Sequence, residues 1–421
     1  MQARQGICPV NPGFRFTTLL VLLAIAFPGW GQAWVFGNPV DVSKVQGEGV
    51  FHHLESSGRR NIALSGPVVA LTWEDDHDGL PRVYLACKAL TARRFDDAVR
   101  ISGGGEAFEP GIAALSGGRF VIAWEEDAQV YARIAGVGAL GPPLRLSRGE
   151  AAQASVAVSG DRVFVVRSER EGRWMRIRLR TLRVAGELRL VSEADCVVDS
   201  DPLQGDQYYP SPALLGGELV VAWEDRRAGH TIIMAAVSKL DPSCGFSSPL
   251  RISHDRLERN MPYGKGHGVS RVALASTGGG LFGVWADKRN FREGYDIYGT
   301  AYLGQGRFGD NQRVQDDFAG QARQWHPAIA GESQGRTLVA WTDEREGDSD
   351  ILLSWPEDGG WSEDTPLPGA SGPGEQTHPS IVLGADGSLH AAWIERQRVN
   401  GPTRVRYVYG RAFDGQPVNP D

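Results

Sequence analysis

An all-β fold, a seven-bladed β-propeller of four-stranded antiparallel blades, is predicted by three features of the sequence. A strand–tryptophan–acidic-turn phrase recurs along the chain, glycine is abundant at 54 of 421 residues, and nothing after residue 35 carries a helical period. The phrase reads "VALTWEDD" at Trp73, "FVIAWEED" at Trp124, "LVVAWEDRR" at Trp223, "LFGVWADKR" at Trp285, "TLVAWTDER" at Trp341 and "LHAAWIERQ" at Trp393. A degenerate copy, "VFVVRSER", sets Arg167 where tryptophan stands elsewhere. Copies lie 43 to 62 residues apart, room for several strands per unit and the mark of radial repetition. Six blades is the alternative count.

One plan fits each unit and is clearest in the fourth copy. Ser211 to Leu215 reads as a short first strand, ended by Gly216-Gly217. Glu218 to Glu224, a β-branched run that includes Trp223, reads as the second. The turn "DRRAG" follows, with Gly229 supplying permissive backbone, then Thr231 to Ser238 and a short Pro249 to Ser253. The outer strand recurs as "AVRIS", "PLRLS", "LRLVS" and "PLRIS". A lone four-stranded meander cannot bury both faces, whereas units set around an axis bury each sheet against its neighbours. The tryptophans are expected to fill the space between adjacent sheets.

The ends of the chain predict how the ring closes. The last copy supplies three strands, "HPSIVL", "LHAAWIE" and "TRVRYVYGRAF", and then runs out in "DGQPVNPD". Near the other end, Pro39 to Ser43 matches the outer-strand phrase and is expected to complete the final blade.

Before that strand lies a segment that reads as a secretory signal over residues 1–33. Arg4 and Arg15 give a positive flank, Thr17 to Phe27 an apolar run and Gly31-Gln32-Ala33 a small-residue cleavage site. The apolar run is 11 residues, against the roughly 20 needed to cross a bilayer. Residues 34–421 are expected to form a single propeller, exported to the periplasm or beyond the cell, with no membrane insertion after cleavage. A formal net charge of −7, with arginines set beside acids, leaves no footprint for nucleic acid. Cys87, Cys196 and Cys244 are an odd set, which excludes a complete disulfide framework; a Cys196–Cys244 bridge and three free thiols both stay open.

The phrase W-x-D-x-R followed by D-I-Y is fullest in "WADKRNFREGYDIY", from Trp285 to Tyr298, and clear in "WTDEREGDSDIL", from Trp341 to Leu352. With the strand entries "HPAIA" at His326 and "HPSIV" at His378, it resembles the repeats of secreted bacterial propellers grouped with the sialidase-like and TolB-like proteins. The resemblance covers nearly all of residues 36–421 and implies the fold. A sialidase would also imply an arginine triad, a tyrosine–glutamate pair and Ser-x-Asp-x-Gly boxes. This chain has neither Arg-Ile-Pro near its start nor any Ser-x-Asp-x-Gly, so no catalytic residue is carried over.

Chemistry is sought at one end of the disc, where the acidic turns and the entries to the first strands meet. Asp225, Asp287 and Asp343 are the candidate catalytic acids should the protein be a glycan-active hydrolase or lyase. Because each copy repeats them, pairs such as Asp287 with Arg289 and Asp343 with Arg345 are expected first to pin their own turns. Function resides more often in what repeats do not share. The entries Glu109, Gln153, Tyr208, Tyr209, His267, His326 and His378 differ from copy to copy, and two of them follow long loops, "EADCVVDSDPLQGDQYYP" and "HDRLERNMPYGKGHG". A ligand site is therefore expected at Tyr209, Tyr263, His267, Trp325, His326, His378 and Arg226. The cluster Asp195, Asp199, Asp201 and Asp206 lacks calcium-loop spacing and is expected to be a solvated acidic loop. No metal or cofactor is predicted. The leading expectation is a monomeric binding module for a protein, peptide or glycan ligand, and the glycan-active hydrolase or lyase is the alternative.

Overall fold

Gln207–Leu215, Glu218–Asp225, Ile232–Lys239 and Leu250–Arg251 pair in sequence order into one antiparallel sheet, the four-stranded plan read from the fourth copy. In the computed structural model this plan recurs in seven sheets around an axis, a seven-bladed propeller. The structure describes residues 33–413 apart from 45–48, 55–57, 137, 241–243, 255–267, 279, 290–293, 317 and 319. Blades are numbered here from the copy at Trp73. Their inner strands are Ile62–Ser65, Ala107–Leu115, Ala151–Ser159, Gln207–Leu215, Val269–Thr277, Gln324–Gly331 and Glu375–Leu383.

All six repeat tryptophans are buried, and each packs against the preceding blade. Trp223 of blade 4 lies among Val166 and Ile177 of blade 3, and Trp393 of blade 7 among Leu338 and Ile351 of blade 6. Beneath the indoles of blades 4, 5 and 6 the polar atoms follow one rule. The nitrogen donates to the carboxylate two residues on: Trp223 to Asp225 (3.0 Å), Trp285 to Asp287 (2.8 Å) and Trp341 to Asp343 (3.0 Å). The same carboxylate accepts the backbone N–H of the arginine that follows: Arg227 (2.8 Å), Arg289 (2.8 Å) and Arg345 (2.9 Å). These arginines then reach outward, Arg227 to Asp199 and Asp201, Arg345 to Asp316 and Asp364. The repeated phrase is thus a buried polar staple in which both carboxylate oxygens have a donor.

Blade 3 makes the staple without tryptophan. Arg167 is fully buried; its Nε donates to Glu169 (2.8 Å) and its Nη2 to Asp195 (3.1 Å). Burial opposes the charge on Asp195, but Arg167, Arg178 and Arg180 outweigh it and hold its pKa down. Asp199 is likewise buried, against Gln207 and Arg227. The solvated acidic loop expected here is corrected accordingly: Asp195 and Asp199 are interior counter-ions of arginines. Residues 189–197 moreover continue the outer strand of blade 3, so much of that long loop is sheet.

The ring closes as the sequence predicts. Val40–Asp41 pairs with Tyr407 and Arg406 of the last blade, and Ala33–Phe36 pairs with its far end, Gly410–Phe413. The match to the outer-strand phrase extends to one hydroxyl. Val405 N donates to Ser43 Oγ (2.9 Å), as Val83 N does to Ser102 (3.1 Å), Val130 N to Ser147 (3.0 Å) and Ile233 N to Ser253 (2.9 Å). A Cys196–Cys244 disulfide joins the outer strand of blade 3 to blade 4, and Cys87 is free.

Candidate functional site

The inner strands of blades 2 to 7 share a β-bulge at the end where each enters the sheet. Register slips between Phe108 and Gly111, Ala152 and Ser155, Tyr208 and Ser211, Ser270 and Ala273, Trp325 and Ala328, and Thr377 and Ser380. In each bulge one residue sits in the left-handed region: Glu109, Gln153, Tyr209, Arg271, His326 and His378, with φ from 48° to 64°. None is glycine, so each bulge carries a conformational cost that the surroundings must offset.

The surroundings do so across the seams between blades. Glu109 N donates to Glu74 (3.3 Å), Arg271 N to Glu224 (2.7 Å) and His378 N to Thr342 (3.1 Å), and Gln153 N donates to Glu125. Each acceptor stands directly after the tryptophan of the preceding blade. Tyr209 N is taken instead by Gln153 Oε1 (3.0 Å), which Ser168 also meets (3.0 Å). The bulges carry six side chains of five kinds towards the axis.

Blade 1 departs from this plan and completes the ring. His53 pairs with Glu74, and Asn61 O accepts from Thr72 N, so seven residues of sequence separate these two pairings where blade 4 has Tyr209 and Pro210 alone. Arg59, from this longer connection, is buried between Glu109, which it contacts through Nη1, and Glu125, 3.8 Å from the same nitrogen. The cup floor thus holds two carboxyl groups on one guanidinium. Burial first, and then the charge of Glu109, push Glu125 up to about 8, against the pull of Arg59. That push favours the protonated form of Glu125.

The opposite side is aromatic and basic. The Arg271 guanidinium lies 3.8 Å from the centre of the Tyr209 ring, with Arg59 5.6 Å from it. His326 and His378 stack at 4.0 Å, and His53 meets His378 edge-on at 5.0 Å. Burial, reinforced by His326, His53 and Arg271, drives the His378 pKa well below its usual value and keeps that ring neutral. One wall thus carries two neighbouring carboxyls on a guanidinium, and the other a flat ring and imidazoles. Among the described residues, no group of three or more His, Cys, Asp and Glu is placed to hold a metal.

Of the residues expected at a ligand site, Tyr209, His326 and His378 stand in the ring. Trp325 lies one residue outward, stacked on Tyr295 at 4.8 Å with its nitrogen donating to Glu344 (3.0 Å). Arg226 is exposed at the rim over Tyr208, 5.1 Å from its ring. Tyr263 and His267 lie outside the described residues. Asp225, Asp287 and Asp343 sit beneath the turns in the staples described above, at 1%, 3% and 1% exposure. Arg59, Arg271 and His53 escaped the sequence reading. Arg271 carries a readable signal, since "RVALA" aligns with "HPAIA" of the next blade, whereas Arg59 is displaced from the repeat register by the extra residues of blade 1.

A larger cavity of about 880 Å³ opens at the rim between blades 7 and 1, beside Val42, Asp75 and Phe95. Its ion pair Lys44–Asp97 is solvated, and its buried carboxylate Asp75 is engaged by His52 and His77. The axial ring is the better candidate because its charged groups are both enclosed and convergent.

No protein-family model and no curated protein matches the chain. Similar solved structures include a protein of unknown function from Dyadobacter fermentans, at 11% identity over 89% of this chain and 99% of that one (TM-score 0.49). The α-L-arabinofuranosidase of Fusarium graminearum, of glycoside hydrolase family 93, is 11% identical over 71% of this chain and 91% of its own (TM-score 0.48). The α-L-arabinanase of Penicillium chrysogenum has the same identity over 71% and 92% (TM-score 0.45). At these values none of them bears on activity.

Proposed function

We propose that this protein is an exported glycan-active hydrolase whose reaction takes place in the axial cup. The observation that carries the reading is the Glu109–Glu125 pair on buried Arg59, two carboxyls brought together on one guanidinium, with the Glu125 pKa raised first by burial. Two carboxyls sharing one guanidinium nitrogen stand closer than the roughly 6.5–9.5 Å of inverting glycosidases and belong with the short-separation, retaining class. Glu125 gives its proton to the glycosidic oxygen as the C–O bond breaks, while the Glu109 carboxylate bonds the anomeric carbon. Water, giving its proton back to Glu125, then displaces Glu109. Tyr209, stacked with Arg271, sets an aromatic face beside the carboxyls, the kind of surface that sugars meet. That face also favours a second reading, a glycan-binding module without turnover.

The test is release of reducing ends from a panel of polysaccharides by the exported protein. Glu125→Gln and Glu109→Gln should each lower the rate by about 10²- to 10⁴-fold, the usual weight of acid–base catalysis, with little change in melting temperature. Turnover that survives both changes, or its absence across the panel, defeats the hydrolase reading. Binding that persists without turnover leaves the second one standing.

A further inference from the structure

We infer that the axial cup is blind and takes the end of a glycan chain, so that the enzyme removes terminal units; this rests on the hydrolase reading above. A propeller built only of blades leaves a channel along its axis. Here residues 58–61 of blade 1 cross it. Ser155 of blade 3 donates to Gly58 O (2.7 Å), and Arg60 donates to Leu274 O of blade 5 (3.2 Å). Ile112 N of blade 2 donates to Arg60 O (2.8 Å), Asn61 Nδ2 to Pro110 O (2.9 Å), and Asn61 N to Ser380 Oγ of blade 7 (2.9 Å).

The crossing segment is tight against blade 4 as well. A Cβ added at Gly58 would press on the Ser211 side chain and come within 2.6 Å of Val272 O, and φ there is +71°. Glycine is needed on both counts. What remains between this segment and blades 5 to 7 is a void of about 10 Å³, lined by Arg60, Leu274, Pro327 and Ile381. That is at the lower limit for one water molecule, so no sugar passes through the floor.

The catalytic carboxyls lie directly on this floor, because Arg59, which holds them, belongs to the crossing segment itself. A polymer threaded past them would need a second exit, and the floor closes the one along the axis. A chain end needs none. The cup is therefore matched to a chain end, with the remainder of the chain leaving towards the rim.

The experiment is the early product pattern from linear gluco-, xylo-, arabino- and galacto-hexasaccharides labelled at the reducing end. One small product of constant size from the first minutes, with no internal fragments, is expected. A spread of internal fragments overturns the blind-cup inference while leaving the hydrolase reading intact. If no sugar is cleaved, the hydrolase reading falls, and the inference passes to binding by the unaltered protein. The same hexasaccharides must then lose at least tenfold in affinity when both ends are chemically blocked. Equal affinity with blocked ends, or no binding at all, overturns it.

Discussion

The staples between blades and the ring at the axis obey opposite rules. Around the disc, Trp223, Trp285 and Trp341 each donate a hydrogen bond to an aspartate that in turn grips an arginine, with distances repeating to within about 0.2 Å. At the axis, six equivalent places carry Glu109, Gln153, Tyr209, Arg271, His326 and His378, with Arg59 set among them from the longer connection of blade 1. The backbone repeats there, the bulge and its left-handed residue included, but the chemistry does not. Strain of this kind persists where a side chain has to be aimed. The contrast teaches that repeated polar residues hold the blades together, while the unrepeated ones, mounted on a repeated support, face whatever the protein meets.

That contrast is open to attack at several strengths. The largest effect is expected from deleting residues 33–43, which strips the closing strand from the last blade. Exposing the surface that Trp34 and Val42 cover costs about 3–6 kcal/mol in itself, and the melt should fall accordingly. An unchanged melt would show that the ring is not held at this seam. Next comes Trp341→Ala, which opens a cavity between blades 5 and 6 and should cost about 3–5 kcal/mol in urea unfolding. Tyr209→Ala, at the axis, should cost less than about 1 kcal/mol. If the two were equally destabilising, the division between shell and ring would fail.

Proton linkage gives smaller and oppositely signed effects. Burial works against the charge on Asp75, but His52 and His77 overcome it and hold its pKa at about 2. Its contribution is complete above the usual carboxylate value near 3.8 and should fade as pH falls from about 4 to 2. Glu125 runs the other way. Because its folded pKa is raised to about 8 from an unfolded 4.5, the folded state holds the extra proton between those values, and stability should decline as pH rises through that window. Glu125→Gln should flatten that slope without touching the acid limb set by Asp75. Activity should likewise fall as pH rises through about 8, where the donor loses its proton.

Much of this was legible in the sequence, and the reason is the repeat itself. Seven copies of one phrase disclose the blades, the packing tryptophans and the Asp–Arg turns, and the same phrase at Pro39 to Ser43 exposes the closure. The axial site was legible only by position. Tyr209, His326 and His378 could be found because each precedes a proline at a fixed place in the phrase. Arg59 could not, since the longer connection of blade 1 shifts it out of register. Its pairing with Glu109 and Glu125 joins residues 50 and 66 positions apart, a closeness only the folded ring creates. The burial of Asp195 was hidden for a similar reason: its partners Arg167, Arg178 and Arg180 lie on the neighbouring strands of blade 3. Sequence shows the acids there; the sheet shows that they are counter-ions.

The most direct test sets one member of the shell against one member of the ring. Glu125→Gln and Asp343→Asn would be compared in the same polysaccharide assay and the same thermal melt. The account predicts that Glu125→Gln keeps its melting temperature and loses about 10²-fold or more in rate. Asp343→Asn should melt lower and retain full activity per folded molecule. A Glu125→Gln protein that still turns over, or an Asp343→Asn protein that is folded and inactive, would contradict it and move the chemistry from the axis to the turns.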